Sequence, residues 1–442
     1  MQLSGKQVIV IGLGKSGIAA TRLCASLGAR VTATDSAPAE KLSPEVAQLQ
    51  AELVLGGHEG VDFKRADLIV VSPGVPSFAR LVEAEAAGVP VIGELALAAS
   101  FIRAPLLLVG GTNGKSTTTS LLGDLLKAAK LRVFVGGNLG TPAAEAVGLE
   151  LDAAVLEVSS FQLERAAGLR AKVSVLLNIT EDHLDRYATF QHYADAKGNA
   201  FVGQLEGDVA LIPEGDYECK RQARRGAGHV LEIGGAGADY AVVDKTIIEQ
   251  TSEQRYELGG TRLHGHHNHS NAAFAVAAAR ALGVPAPAIQ QGLTDFVPLA
   301  HRMALVTELG GVRFYDDSKG TNVGAAVTAV LGLSEPRGVL IAGGRDKLGS
   351  YEPLVAALAK KGRAVVLIGE AADKIAAAIG GALPVVRATD MQGAVKAAFA
   401  LAQPGDAVLL SPACSSFDMF KSYAERGDRF AEAALALKQE MS

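Results

Sequence analysis

Residues 109–120, VGGTNGKSTTTS, carry the side chains most suited to chemistry in this chain. Gly111, Thr112, Asn113, Gly114, Lys115, Ser116 and Thr117 stand between an apolar run, PLLLV, and a helical run, TTTSLLGDLLKAAK. A strand feeding a glycine turn into a helix start presents unpaired backbone N–H groups, and the helix dipole adds about half a positive charge there. Gly114 lets the backbone approach a phosphate, Lys115 can neutralise its oxygens, and Ser116 or Thr117 can ligate Mg²⁺. The spacing departs from G-x-x-x-x-G-K-[ST], because the glycine before Gly114 is Gly111, three residues back. The alternative is a glycine turn with a solvated lysine. The loop points to a phosphate site and is silent on the reaction.

Further candidates lie at other strand ends. Glu157 closes AAVLE, and His183 follows VSVLLNIT in NITEDHLDRY. In an open parallel sheet the C-terminal strand ends gather at one edge, so Lys115, Glu157 and His183 are expected to converge. Mg²⁺ prefers carboxylate, water and phosphate oxygen, which suits Glu157 better than His183; otherwise Glu157 is a helix cap or a solvated carboxylate. Gly12-Leu13-Gly14-Lys15-Ser16-Gly17 reads G-x-G-x-x-G after a strand, with Asp35 closing the next one. Taken alone this suggests NAD or FAD, although any nucleotide diphosphate on a helix N-terminus fits, as does a bare strand–helix corner. His264, His266, His267 and His269 crowd together without a zinc-like spacing. Asn268 and Asn271, three apart on the following helix, could hydrogen-bond a base or ribose. Towards the C-terminus, Asp317, Ser318, Lys319 and Thr321, then Arg345, Asp346 and Lys347, then Ser415 and Ser416, stand at three polar strand ends; each alone fits a polar loop, and together on one edge they argue for a second substrate surface.

The elements that must position these residues alternate along the chain. QVIVIG, RVTATD and ADLIVV read as strands separated by helical stretches, and a second series begins near Glu94. A third follows, with VRFYDDS, GVLIAGG, AVVLIG and DAVLLSP. Strand–helix alternation argues for parallel sheets covered by helices on both faces. From 208 to 263 the short polar runs DVALIP, HVLEIG, YAVVDKTIIE and TRLHG suggest an antiparallel appendage. The 442 residues, 49% hydrophobic and 20% charged, suit two or three globular domains. A net charge of −5 gives no hint of nucleic-acid binding, and LALAASFIRAPLLLVGG is broken as a membrane span by Arg103 and Pro105. The three cysteines lie far apart, and the chain enters a strand with no signal peptide, so a reduced cytosolic compartment is expected.

The stretches GTNGKST, GGNLG, LEVSSFQLE, NITEDHLDRY, GHHNHSN, HRM, DDSKGTN and SPACSSFDMF resemble the ATP-dependent Mur ligases of peptidoglycan synthesis. They span essentially the whole chain, and the last two, with IGLGKSG, look most like the D-glutamate-adding members; the D-N-P-R of the diaminopimelate-adding members is not found. The resemblance implies an α/β protein of three domains. A Rossmann-like UDP-sugar domain would cover 1–93, and a P-loop-type ATPase domain, parallel with a small antiparallel part, 94–298. A Rossmann-like amino-acid domain would cover 299–442. It implies amide formation between D-glutamate and UDP-N-acetylmuramoyl-L-alanine through an acyl phosphate, with ATP and two Mg²⁺ sites, by a cytoplasmic monomer serving cell-wall growth and division.

Residue by residue, the resemblance places Gly111–Thr117 on ATP phosphates, with Ser116, Thr117 and Glu157 on Mg²⁺ and His183 on a second metal. Lys197 falls on a lysine carbamylated in this family. Asn268 and Asn271 fall on the adenine side, and Arg302 and Asp317 elsewhere on ATP. Gly14, Lys15, Ser16, Asp35, Ser36, Gly74, Asn138, Ser159 and His183 fall on the UDP-sugar side. Lys319, Thr321, Lys347, Ser416, Phe417 and Tyr423 fall near D-glutamate. A folylpolyglutamate-type or other Mur-type ligase, a nicotinamide oxidoreductase and a nucleotide-switched binding protein remain alternatives.

Overall fold

The computed structural model of the chain describes residues 1–166, 168–183, 186–263, 265–346 and 349–441. Its strands form three sheets. The first contains β1 (Gln7–Ile11), β2 (Arg30–Asp35), β3 (Glu52–Leu55), β4 (Leu68–Val71) and β5 (Val91–Gly93), in the order β3-β2-β1-β4-β5. All its pairs are parallel. The strand order reverses beside β1, where ligands of such sheets bind outside the carboxyl ends. The corner after β1 depends on glycine: Gly12 has φ +84°, and a Cβ on Gly17 would lie 1.7 Å from the Gly12 carbonyl oxygen.

The second sheet contains β6 (Leu106–Gly110), β7 (Val133–Gly137), β8 (Ala153–Glu157) and β9 (Val173–Leu176). It continues with β10 (Val209–Pro213), β11 (His229–Gly234), β12 (Tyr240–Val243), β13 (Thr246–Glu249) and β14 (Gln254–Glu257). The order is β14-β13-β12-β11-β10-β9-β6-β8-β7. The expected antiparallel appendage is smaller than its sequence suggests. β10 pairs parallel with β9 and with β11, so both extend the main sheet; only β12, β13 and β14 run antiparallel to one another. The apolar centre of β10, Ala210–Ile212, is fully buried, as a strand covered on both faces requires. The described part of TRLHG holds no strand.

The third sheet contains β15 (Ala304–Leu309), β16 (Val312–Asp316), β17 (Gly338–Gly343), β18 (Gly362–Ile368), β19 (Val385–Arg387) and β20 (Ala407–Leu410). Its order is β15-β16-β20-β17-β18-β19. β15 was not expected. It joins β16 as an antiparallel hairpin through Gly310 and Gly311, both at positive φ, the backbone a tight primed turn needs.

The chain divides into two compact units. The first comprises Met1–Ile179, Gln191–Gly259 and Asn271–Thr294, and holds the first two sheets. The second comprises Thr180–Phe190, Gly260–Ser270 and Asp295–Ser442, and holds the third. No helix among the described residues is long and apolar enough to cross a membrane.

Candidate functional site

In the first unit, β6 is buried along its whole length and delivers the chain into the loop 111–114. Gly114, at φ +86°, caps the helix Lys115–Ala128. A side chain on Gly114 is excluded, since its Cβ would lie 2.4 Å from Asn271 Oδ1. Asn178, just beyond β9, braces the loop: its Oδ1 accepts from the N–H groups of Thr112 and Asn113 at 3.1 and 2.9 Å, and its Nδ2 donates to Asn113 O at 3.2 Å. The Thr112 hydroxyl meets Tyr193 OH at 3.0 Å. Lys115 folds back so that Nζ donates to the carbonyls of Gly111 and Thr112 at 3.0 and 2.8 Å. Ser116 and Thr117 are buried in the first turn of the helix. Sequence reasoning missed Asn178 and Tyr193, although Asn178 opens the quoted NITEDHLDRY.

Lys197 lies on the helix Phe190–Val202 and is 2% exposed. Its Nζ donates to Gly111 O at 2.7 Å and lies 4.6 Å from the centre of the Tyr193 ring. Gly198 allows close helix packing, for a Cβ there would meet Gln222 Oε1 at 1.8 Å.

Glu157 ends β8, paired in register with Val109 of β6. Its Oε1 accepts from Asn138 Nδ2 at 2.6 Å, and the Asn138 N–H donates to the Glu157 carbonyl at 2.8 Å. Glu157 Oε2 is buried with no hydrogen-bond partner. An orphaned buried carboxylate oxygen is costly, and a hard cation would satisfy it. Ser116 and Thr117 supply oxygen donors of the same kind, so these side chains fit Mg²⁺ chemically. Ser159 caps the helix Ser160–Leu163 in a reciprocal box with Gln162.

A cavity of about 410 Å³ opens at the reversal point of the first sheet. One wall carries Gly12, Gly14, Lys15, Ser16, Asp35 and the segment Ser72–Val75 with Gly74. The other belongs to the second sheet, through Gly137, Asn138, Gly140, Pro142 and Gln162. Asp35 holds the first wall together, its carboxylate accepting from Leu13 N–H at 2.6 Å and Ala37 N–H at 2.8 Å. Ser36 is exposed and does not line the cavity. Gln162 and the 72–73 segment were not singled out from sequence.

The second unit holds the remaining candidates. The N–H of His183, a residue at φ +56°, donates to Asp182 Oδ1 at 3.0 Å, and Asn322 Nδ2 donates to Asp182 Oδ2 at 3.0 Å. Asn268 is buried; Asn271 belongs to the first unit. Asp317 accepts from Ser411 Oγ at 2.7 Å. Burial pushes its carboxyl up to about 7, against the lowering effect of that hydrogen bond and of Arg302. Lys319 Nζ stands 3.8 Å from the centre of the Tyr423 ring. The Thr321 N–H bonds the Lys319 carbonyl at 2.8 Å, Ser416 is buried and Phe417 is 68% exposed. Arg426, absent from the sequence reading, is fully buried and joins two strand-end loops. It donates to Ser318 Oγ at 3.0 Å, Ser318 O at 2.9 Å and Cys414 O at 3.1 Å. Lys347 and His264 lie outside the described residues.

A glycine loop opening a helix with a lysine and a buried carboxylate on the neighbouring strand define a nucleotide-using α/β protein built on three sheets. The family model described as the Mur ligase MurD-like N-terminal domain matches residues 6–93, the Mur ligase middle domain 109–279, and the Mur ligase glutamate ligase domain 301–414. The chain belongs to the Mur ligase family. It is 43% identical over 448 residues to a UDP-N-acetylmuramoylalanine--D-glutamate ligase of Geobacter metallireducens, covering 99% of each chain. It is 45% identical over 450 residues to the protein of that name from Anaeromyxobacter dehalogenans, covering 97% of each. Among solved structures, MurF ligase from Thermotoga maritima in complex with ADP shares the fold, with a TM-score of 0.62 at 19% identity over 100% of this chain and 97% of that one.

Proposed function

We propose that this chain is an ATP-dependent, ADP-forming ligase that adds D-glutamate to UDP-N-acetylmuramoyl-L-alanine in peptidoglycan precursor synthesis. The observation that carries the reading is the pairing of the Gly111–Thr117 loop with the half-satisfied Glu157 carboxylate, in a chain 43% identical over its length to ligases of that name. We assign 1–93 to the UDP-sugar, 94–298 to ATP and 299–442 to the amino acid. The working unit is taken to be a cytoplasmic monomer.

A carboxylate is a poor electrophile, so amide formation needs activation. The L-alanyl carboxylate attacks the γ-phosphorus of ATP, the bond to ADP breaks, and an acyl phosphate forms. The D-glutamate amine then attacks the acyl carbon, loses a proton, and phosphate leaves. Two anions meet in the first step. Lys115 and the backbone N–H groups at the start of its helix would stabilise the charge spreading over the transferred phosphoryl group, while Asn178 holds the shape of the loop through Thr112 and Asn113. Ser116, Thr117 and Glu157 would hold one Mg²⁺, and carbamylated Lys197 would offer oxygen to a second; His183, in the other unit, is assigned to a metal by the family resemblance alone. When bound, the metal supplies positive charge to the phosphate oxygens. Asn138 orients Glu157 through their hydrogen bond. Asn271 would hold the adenine side of ATP; within the second unit Asn268, Arg302 and Asp317 are assigned to ATP by the family resemblance alone, and Lys319, Thr321, Lys347, Ser416, Phe417 and Tyr423 to D-glutamate. Gly14, Lys15, Ser16, Asp35, Gly74 and Asn138, which line the cavity, are assigned to the UDP-sugar, together with Ser159.

ADP release with UDP-N-acetylmuramoyl-L-alanine and a panel of amino acids tests the reading. Release dependent on both the UDP-sugar and D-glutamate is expected. Preference for another amino acid or for a folate would move the chain to another ligase reaction, and substrate-dependent turnover of a nicotinamide would replace the ligase reading.

A further inference from the structure

Glu94 follows the last residue of β5 and opens the helix Glu94–Ala99. It is 1% exposed, and nothing in the ligase chemistry above uses it. Its Oε1 accepts from the Ala144 N–H at 2.6 Å, while Oε2 is buried without a hydrogen-bond partner. Ala144 lies in the 3₁₀ turn Ala143–Ala146, whose capping residue, Pro142, has no side-chain oxygen to offer. Glu94 therefore caps a turn belonging to a different sheet. Pro142 and Gly140, immediately before that turn, line the cavity wall contributed by the second sheet.

The neighbouring Gly93 makes the complementary contact. Its N–H donates to the Arg165 carbonyl at 3.0 Å, just beyond the helix Ser160–Leu163 that carries Gln162. Gln162 is the other second-sheet component of the cavity. The dipeptide Gly93-Glu94, at the edge of the first sheet, thus grips both second-sheet segments that face the first-sheet wall.

We propose that Glu94 is a positioning residue that holds the Asn138–Pro142 wall of the cavity in register with the Gly12–Ser16 wall, and so sets the affinity for the UDP-sugar. The proposal rests on the reading of this cavity as the UDP-sugar site. A buried carboxylate with one unpaired oxygen is costly, and what it secures is the bond to the Ala144 N–H, which an apolar side chain of similar size would leave without an acceptor. Burial, opposed by the Ala144 hydrogen bond and reinforced by the charge of Glu145, pushes the Glu94 carboxyl up to about 7. A group kept at that cost beside a cleft is more readily explained by what it positions.

The test compares Glu94→Met, Glu94→Ala and Glu94→Gln in the full chain, by calorimetric binding of UDP-N-acetylmuramoyl-L-alanine and by steady-state kinetics. Met keeps the volume and removes the unpaired oxygen together with the acceptor, so it keeps the comparison possible if Ala does not fold. Loss of one positioning hydrogen bond is expected to raise Kd and KM for the UDP-sugar about tenfold in Met and Ala. The KM for ATP and kcat should stay within about twofold, since uniform binding alone is lost. Gln retains an oxygen facing the Ala144 N–H and is expected to restore affinity to within about threefold. Unchanged UDP-sugar affinity in folded Met or Ala variants overturns the proposal, as does an equal loss of ATP affinity. Wild-type protein that binds no UDP-sugar overturns the cavity assignment itself, an outcome distinguishable from failure of Glu94 alone.

Discussion

Lys197 Nζ donates to the carbonyl oxygen of Gly111 at 2.7 Å, from a helix 86 residues further along the chain. The Lys115 ammonium shares the same carbonyl at 3.0 Å. Two lysines, one inside the phosphate loop and one far beyond it in sequence, therefore converge on the loop's first residue, and they are assigned opposite electrostatic tasks.

Lys115→Ala should abolish ligation and leave the fold intact. Its Nζ donates to the loop carbonyls of Gly111 and Thr112, and the side chain lies outside the buried hydrophobic core. Removing one preorganised charge stabiliser costs about 10²–10³ in rate. ADP release at saturating ATP, with circular dichroism as the control, measures this; near-full turnover in the variant contradicts the phosphate assignment.

Lys197 is expected to be a carbamate in the active enzyme. A carbamate nitrogen keeps one N–H, so the bond to Gly111 O survives modification while the outer end becomes an oxygen donor suited to Mg²⁺. Lys197→Ala should lose activity, and acetate should partly restore it by filling the vacated ligand position. Mass spectrometry under CO₂ and the acetate titration decide it; full activity of the variant at low Mg²⁺ leaves the modification without a role.

Gly14 and Gly17 should respond in opposite ways. A Cβ on Gly14 meets nothing within 4 Å, and the residue lines the cavity, so Gly14→Val should fold and intrude on the substrate. Its KM for the UDP-sugar should rise while that for ATP hardly changes. Gly17→Ala drives its Cβ against the Gly12 carbonyl and should lower Tm. Equal losses of both substrate affinities in Gly14→Val, or a wild-type Tm in Gly17→Ala, would contradict this division.

Glu94 also predicts a pH dependence of stability. Its folded carboxyl is raised to about 7, above the ordinary value near 4.3 in the unfolded chain. The folded state then binds more protons between those values, so this group's contribution favours folding at low pH and declines as pH rises through about 7. Glu94→Gln should therefore gain stability over wild type at pH 8 and lose that advantage near pH 4. Denaturant melts at the two values check the sign; a constant offset would mean that Glu94 does not titrate differently on folding.

Local order was legible in the sequence. The turns at Gly12–Gly17 and Gly111–Lys115 combine contiguous residues whose types dictate backbone shape, so strand, corner and helix start follow from the letters alone. The parallel character of the sheets follows from the same alternation. Where polar runs replaced apolar ones, composition misled: β10 and β11 read as part of an appendage, yet they complete the main sheet because their neighbours cover them. The Gly310-Gly311 hairpin carried a local signal that went unread.

Contacts between distant segments were decided by strand order, which periodicity does not encode. Because β6 lies between β8 and β9, Asn178 braces the phosphate loop from 65 residues away and Glu157 stands on the other flank. Glu94 finds Ala144 across 50 residues, and Arg426 finds Ser318 across 108. Residue type alone marks such groups as polar. Only the tertiary structure, by burying them and giving each a particular partner or none, turns them into braces and caps, since the energetic meaning of a polar atom is set by what replaces its water.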